Sequence, residues 1–203
     1  MISQAIYLSI LNGKKQSHKF FSILIDPDKL KSPDVIKEAN DCGVDFIMVG
    51  GSILANGSIA KSIELIKKHT LIPVVLFPGN YYQIDKNADA LLLLALISGR
   101  NPDLLIGNHV LAAPHLKISK IEIIPTGYIL IDGGSQTSVS YISNTMPIPA
   151  DKPDIAMCTA MAGEMLGMKL IYLDAGSGAQ RPVSKAIIRK VADNEKIPIF
   201  AGG

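Results

Sequence analysis

The sequence contains no tryptophan and only two cysteines, aromatic residues make up 5%, and opposite charges nearly cancel to a formal net +2. Each shortage excludes something. With so few rings, the core has to be packed from Ile, Leu, Val, Ala and Met, the composition of buried parallel strands. With so little net charge and no basic arm, no surface-wide field gathers a polyanion, and nucleic acid is not an expected partner. Cys42 and Cys158 lack the CxxC or Cys/His spacing of a zinc site, so they are expected to be buried, reduced thiols of a cytoplasmic protein. The longest apolar run, Ala90 to Ser98, is far shorter than the roughly 18 residues of a membrane span. The opening MISQAIYLSILNGKKQ has no leading positive region and suits an amphipathic helix better than a signal peptide. A soluble protein is expected.

Seven apolar runs bounded by Gly, Pro or Asp stand out: FFSILID (20–26), DFIMVGG (45–51), IPVVLFPG (72–79), ADALLLLALIS (88–98), TGYILIDGG (126–134), KLIYLDAGS (169–177) and IPIFAGG (197–203). Between most of them lie helical patterns. Ser32-Pro33-Asp34, Asn101-Pro102-Asp103 and Asp151-Lys152-Pro153-Asp154 each set a capping side chain ahead of a first-turn proline, while Cys42-Gly43 and Leu166-Gly167 supply left-handed stops. Strands alternating with helices mean right-handed βα units and a parallel sheet. Polar and glycine-rich residues after strand upon strand favour a closed (β/α)8 barrel, whose carboxyl-end loops share one rim, over an open doubly wound sheet. The expected architecture is a single barrel domain, 1–203. The seventh strand ends at the last residue, so the eighth strand and the C-terminal part of the barrel are expected to be missing from this chain. Asn80–Asn87 is too short for a crossover helix, and a loop should replace one outer helix.

The chemistry gathers at strand ends. Ala175-Gly176-Ser177-Gly178 and Gly202-Gly203 follow neighbouring late strands, and glycine lets backbone N–H groups approach a phosphate closely. The alternative is that these glycines merely turn the chain, but two such loops together favour phosphate. Asp26, stiffened by Pro27, and Ser52, behind two glycines, offer one carboxylate and one hydroxyl, which fits Mg²⁺ because that ion takes its remaining ligands from water and substrate phosphates. The alternative for Asp26 is that it accepts bonds from its own Asp-Pro-Asp turn. Asp28 and Asp132 are further strand-end carboxylates, Asp132 more structural. Tyr172 and Asp174 alternate onto one face of the sixth strand, where a phenol and a carboxylate could orient a hydroxyl nucleophile and stabilise a developing cation. The four histidines, His18, His69, His109 and His115, fall in helix or loop positions and read as surface groups.

Taken in order, ILIDPDK (23–29), IMVGGS (47–52), YILIDGGSQTSV (128–139), YLDAGSGA (172–179) and IPIFAGG (197–203) resemble the geranylgeranylglyceryl phosphate synthase family over almost the whole chain. Bacterial heptaprenylglyceryl phosphate synthases are relatives, some with Lys two residues before the metal Asp; Leu24 stands there here and favours the geranylgeranyl branch. The resemblance implies a modified TIM barrel that joins the C3 hydroxyl of sn-glycerol 1-phosphate to a geranylgeranyl (C20) chain from its diphosphate, in ether phospholipid biosynthesis. It implies Mg²⁺ on Asp26 and Ser52, and glycerol phosphate on Tyr172, Leu173, Asp174, Ala175, Gly176, Ser177, Gly178, Ala179, Gly202 and Gly203. Asp174 and Tyr172 would be catalytic. A homo-oligomer in the cytoplasm, with peripheral membrane contact for product release, completes the expectation. This chain departs from the family at Asp174, where Glu is usual, and lacks the Gly-Asn pair after an eighth strand. Ile, Tyr and Pro residues in a loop from Val139 to Pro149 are expected to roof a prenyl groove. Two other readings remain: a sugar-phosphate isomerase or epimerase on the same barrel, and a noncatalytic phosphate- or lipid-binding protein.

Overall fold

The computed structural model describes residues 4–203. Its elements run α1 (Ala5–Lys15), β1 (Ser22–Ile25), α2 (Asp34–Asp41), β2 (Phe46–Val49), α3 (Ile59–His69), β3 (Val74–Leu76), β4 (Ala90–Leu96), a π-helical turn (Asp103–Gly107) opening α4 (Asn108–Ser119), β5 (Glu122–Leu130), α5 (Ser138–Ser143), α6 (Pro153–Met165), β6 (Leu170–Asp174), α7 (Lys185–Ala192) and β7 (Ile199–Gly202). The strands lie in one seven-stranded sheet in chain order, β1 through β7. That is the strand order of a (β/α)8 barrel, since a doubly wound sheet reverses direction at a switch point. The fold is therefore of the TIM-barrel type without an eighth strand among the described residues. Residues 77–89 contain no helix, as the short connection between β3 and β4 requires. No helix among the described residues is long and apolar enough to cross a membrane.

Two compact units make up the chain. The first comprises residues up to Leu93 with Val110–Ile124. Within it β1, β2 and β3 pair in parallel, with Ile25 opposite Val49 and Val49 opposite Leu76. Ile47, Val49, Val74 and Leu76 pack against Ile36 of α2 and against Ile59, Ile63 and Ile66, which helical spacing puts on one face of α3. Ser58 caps that helix through Lys61 N–H at 3.4 Å, and Lys67, Lys68 and His69 fill its last turn. The buried Glu122 carboxylate accepts the N–H groups of Ile6 (2.9 Å) and Tyr7 (2.7 Å) at the start of α1. This anchor extends β5 four residues upstream of the apolar run that announced it. Helix α1 agrees with the reading of the opening stretch, whose first three residues lie outside the described region.

The second unit comprises Leu94–His109 and Pro125–Gly203. Here Tyr128 pairs with Tyr172 and Leu130 with Asp174 across β5 and β6, while Tyr172 pairs with Phe200 and Asp174 with Gly202 across β6 and β7. Alternation divides the strands. Ile129, Ile131, Ile171 and Leu173 pack with Ala156 and Ala160 of α6 and with Ile187 and Val191 of α7, so Tyr128, Tyr172 and Asp174 occupy the opposite face.

Local expectations are corrected in several places. Cys42 and Cys158 are exposed, because each falls on the outer side of a helix or its end. The stretch from Val139 is not all loop: a capping box between Thr137 and Ser140 nucleates α5 there. His109 is half-buried with its Nδ1 unpartnered, and burial lowers its pKa, so it is not a surface group. Of the proline-linked starts, α6 has its proline in the first turn as expected but no side-chain cap at Lys152. At α2 and the π-helical turn, Pro33 and Pro102 are themselves the N-cap, and Ser32 and Asn101 accept the Asp34 and Asp103 N–H groups (3.4 and 3.0 Å) from one residue further out.

Candidate functional site

In the second unit the site begins with three rings side by side. Tyr128, Tyr172 and Phe200, on successive strands, have centroids 6.0 and 6.2 Å apart. The register that aligns them also sets Asp174 one pleat further toward the strand ends. Its carboxylate is buried and doubly engaged: the Tyr128 hydroxyl donates to Oδ2, and the Gly176 N–H donates to Oδ1 at 2.9 Å. Burial first and the Asp174 charge second push the Tyr128 phenol well above its usual pKa, and the same two causes raise Tyr172. Both phenols therefore stay protonated at neutral pH and act as donors.

The Gly176–Gly178 loop bends over this carboxylate. Gly176 has φ +86°, and a Cβ there would come within 2.7 Å of Thr137 Oγ1, so only glycine allows the loop to lie on the Thr137 cap of α5. A Cβ on Gly202 would sit 2.5 Å from the Tyr172 hydroxyl, which brings the β7 backbone against the phenol. Arg181 N–H donates to the Gly133 carbonyl at 3.0 Å, and its guanidinium lies 3.9 Å from Asp132, tying the loop after β6 to the loop after β5. Of the residues expected to bind phosphate, Tyr172, Asp174, Gly176 and Gly202 come together. Ser177 and Gly178 are exposed at the loop crest, and Gly203 follows β7. Leu173 and Ala175 point their side chains into the helix-facing core, leaving only backbone to offer. Tyr128 was not singled out from the sequence, although it carried the same signal as Tyr172: a lone phenol inside an aliphatic strand that ends in glycine.

The first unit holds the other expected residues. Asp26 follows β1; its Oδ1 accepts Asp28 N–H at 3.0 Å, and its Oδ2 lies 3.4 Å from Lys29 Nζ. The turn bond weighed for Asp26 is therefore present, and it occupies one oxygen only. The ion pair is largely solvated and holds Oδ2 weakly, since Lys29 is 76% exposed. Gly51, the neighbour of Ser52, passes close by: a Cβ on Gly51 would lie 3.6 Å from Asp26 Oδ1. Asp28 accepts N–H groups from Ala55 (2.8 Å), Asn56 (3.0 Å) and Gly57, and these backbone bonds hold its pKa below the usual carboxylate value. It organises the loop into α3.

Residues 14–203 match the PcrB family. The chain belongs to this family. Among its relatives are the geranylgeranylglyceryl phosphate synthases of Chitinophaga pinensis, 53% identical over 98% of this chain and 80% of theirs, and of Spirosoma linguale, 53% identical over 97% and 80%. Among solved structures, (S)-3-O-geranylgeranylglyceryl phosphate synthase from Thermoplasma acidophilum, in complex with its substrate sn-glycerol-1-phosphate, superposes with a TM-score of 0.90 at 32% identity, covering 99% of this chain and 82% of that one.

This PcrB-family chain has oxygen donors suited to a hard cation. Asp26 and Ser52 supply a carboxylate and a hydroxyl, and no cluster of three or more His, Cys, Asp or Glu side chains among the described residues could enclose a metal unaided. A cation held here would complete its shell with water and phosphate oxygens, as Mg²⁺ does.

Proposed function

We propose that this chain forms the ether bond between the C3 hydroxyl of sn-glycerol 1-phosphate and a geranylgeranyl group, releasing diphosphate. The observation that carries this reading is the buried Tyr128–Asp174–Gly176 constellation beneath a glycine loop, in a chain that aligns from end to end with a glycerol-phosphate-bound relative. The glycerol oxygen bonds to C1 of the prenyl chain as the C1–O bond to diphosphate breaks, and the hydroxyl proton passes to the Asp174 carboxylate. Asp174 keeps a free lone pair on each oxygen while it holds Tyr128 and Gly176, so it can accept that hydroxyl and aim it at C1. Its negative charge also favours the cationic character that grows on the allylic carbon. The loop N–H groups after Asp174 and the backbone at Gly202, the last residue of β7, and Gly203 receive the glycerol phosphate, and Tyr172 donates along its edge. Asp26 and Ser52 would hold Mg²⁺, which when bound neutralises charge on the departing diphosphate.

The substrates fit a cytoplasmic enzyme whose product, once it carries a C20 chain, partitions to a membrane surface. A second copy of the chain would cover Ile155, Met165 and Leu166, which α6 and its end leave exposed. The function is tested by incubating the protein with Mg²⁺, labelled sn-glycerol 1-phosphate and prenyl diphosphates of graded length, followed by extraction into organic solvent. Label in the solvent with the C20 donor is expected. Folded protein that binds glycerol phosphate but transfers no chain would instead be a noncatalytic binder, and turnover of a sugar phosphate without a prenyl donor would mark an isomerase.

A further inference from the structure

Gln83 is only 1% exposed, although it lies in the loop that replaces a helix between β3 and β4, next to an exposed Tyr82. Burying an amide is unfavourable unless its donors and acceptor are met. Here Oε1 and one Nε2 hydrogen are met by backbone, at Gly79 of the same loop and at Gly51 of the loop after β2. Oε1 accepts the N–H groups of Gly51 (3.4 Å) and Gly79 (3.1 Å), and Nε2 donates to the Gly51 carbonyl at 2.8 Å. The two loops already touch: a Cβ on Gly79 would stand 2.9 Å from Ser52 Cα. Ser52 thus sits between two clasps, Gln83 at residue 51 and Asp28 at residues 55–57.

The residue type suits the task. A glutamine amide accepts two N–H groups and donates to a carbonyl at a reach that a short hydroxyl side chain lacks, and being neutral it adds no charge beside Asp26 or an incoming diphosphate. We propose that Gln83 is a positioning residue: by fixing Gly51 on both its N–H and its carbonyl, it presents the Ser52 hydroxyl to the cation shared with Asp26. This rests on the reading of Asp26 and Ser52 as the metal ligands.

The test measures binding of inorganic diphosphate by calorimetry, with saturating Mn²⁺ and again with EDTA; the ratio of the two affinities reports the metal-bridged component. Gln83→Met preserves length and shape but removes all three bonds. It is expected to cut the metal-dependent gain about 10- to 100-fold, as loss of a residue supporting a metal ligand typically does, and to add nothing further when combined with Ser52→Ala. Affinity for sn-glycerol 1-phosphate, bound in the other unit, stays within about twofold of wild type on the same reasoning. Gln83→Asn, which stays neutral and keeps the amide but draws it about one methylene away from Gly51, falls between wild type and the Met variant and serves if the Met variant does not fold. A Gln83→Met protein with the full metal-dependent gain, while Ser52→Ala loses it, overturns the role of Gln83 alone. Equal losses of diphosphate and glycerol phosphate binding mark a general structural role and also overturn it. No metal-dependent gain in wild type, or none lost in Asp26→Asn and Ser52→Ala, overturns the metal reading and this inference with it.

Discussion

At the scale of single residues, the decisive contact is the Tyr128 hydroxyl on the Asp174 carboxylate, a residue only 9% exposed. Tyr128→Phe leaves the ring in place and strips one donor from buried Asp174. Loss of a hydrogen bond to a charged group is worth about 1.5–3 kcal/mol, and if it is felt in the transition state kcat falls roughly 10- to 100-fold, which steady-state assays of Tyr128→Phe and Tyr172→Phe would compare. The phenols also predict a pH dependence. Their native pKa values lie above the value of about 10 for an unfolded tyrosine, so the native state favours the protonated form. The stability they contribute is complete below about pH 10 and is lost as pH rises through the native values. Urea unfolding at stepped pH should show an alkaline decline that is shallower in Tyr128→Phe. An equal slope would mean that the Tyr128 hydroxyl is not held as described.

At the scale of elements, α1 is joined to β5 through one side chain. Glu122 satisfies two of the N–H groups that any helix start leaves open, and its charge complements the positive end of the helix dipole. Glu122→Ala should cost about 1–3 kcal/mol, the penalty for buried groups left unsatisfied. Hydrogen exchange should then quicken in α1 and leave α6 and α7 untouched; uniform loss of protection would refute the local anchor. The apolar runs made the seven strands legible, because strands covered on both faces are aliphatic throughout. The start of β5 was not legible, since Glu122 looks like a loop residue until α1 is placed over it. The same is true of α5, where a six-residue helix is too short to show a period and only the Thr137–Ser140 cap reveals it.

At the scale of the whole molecule, the proposed metal residues and the glycerol phosphate cradle belong to different compact units. Chelation should therefore abolish prenyl transfer and leave glycerol phosphate binding intact. With glycerol phosphate at about 100 times its Kd, stabilisation of about 2.7 kcal/mol follows from mass action, and thermal unfolding with and without EDTA should show the same shift. A shift that disappears with EDTA would tie the cradle to the cation. By itself the sequence determined the strand count, the chain-order parallel sheet and the positions of Asp26, Ser52, Tyr172 and Asp174, because hydrophobic runs and strand-end glycines are local signals. Only the tertiary structure decided that Tyr128 holds Asp174 and that Gln83 clasps Gly51, since a hydrogen bond between strands or loops depends on register and approach, which no local pattern encodes.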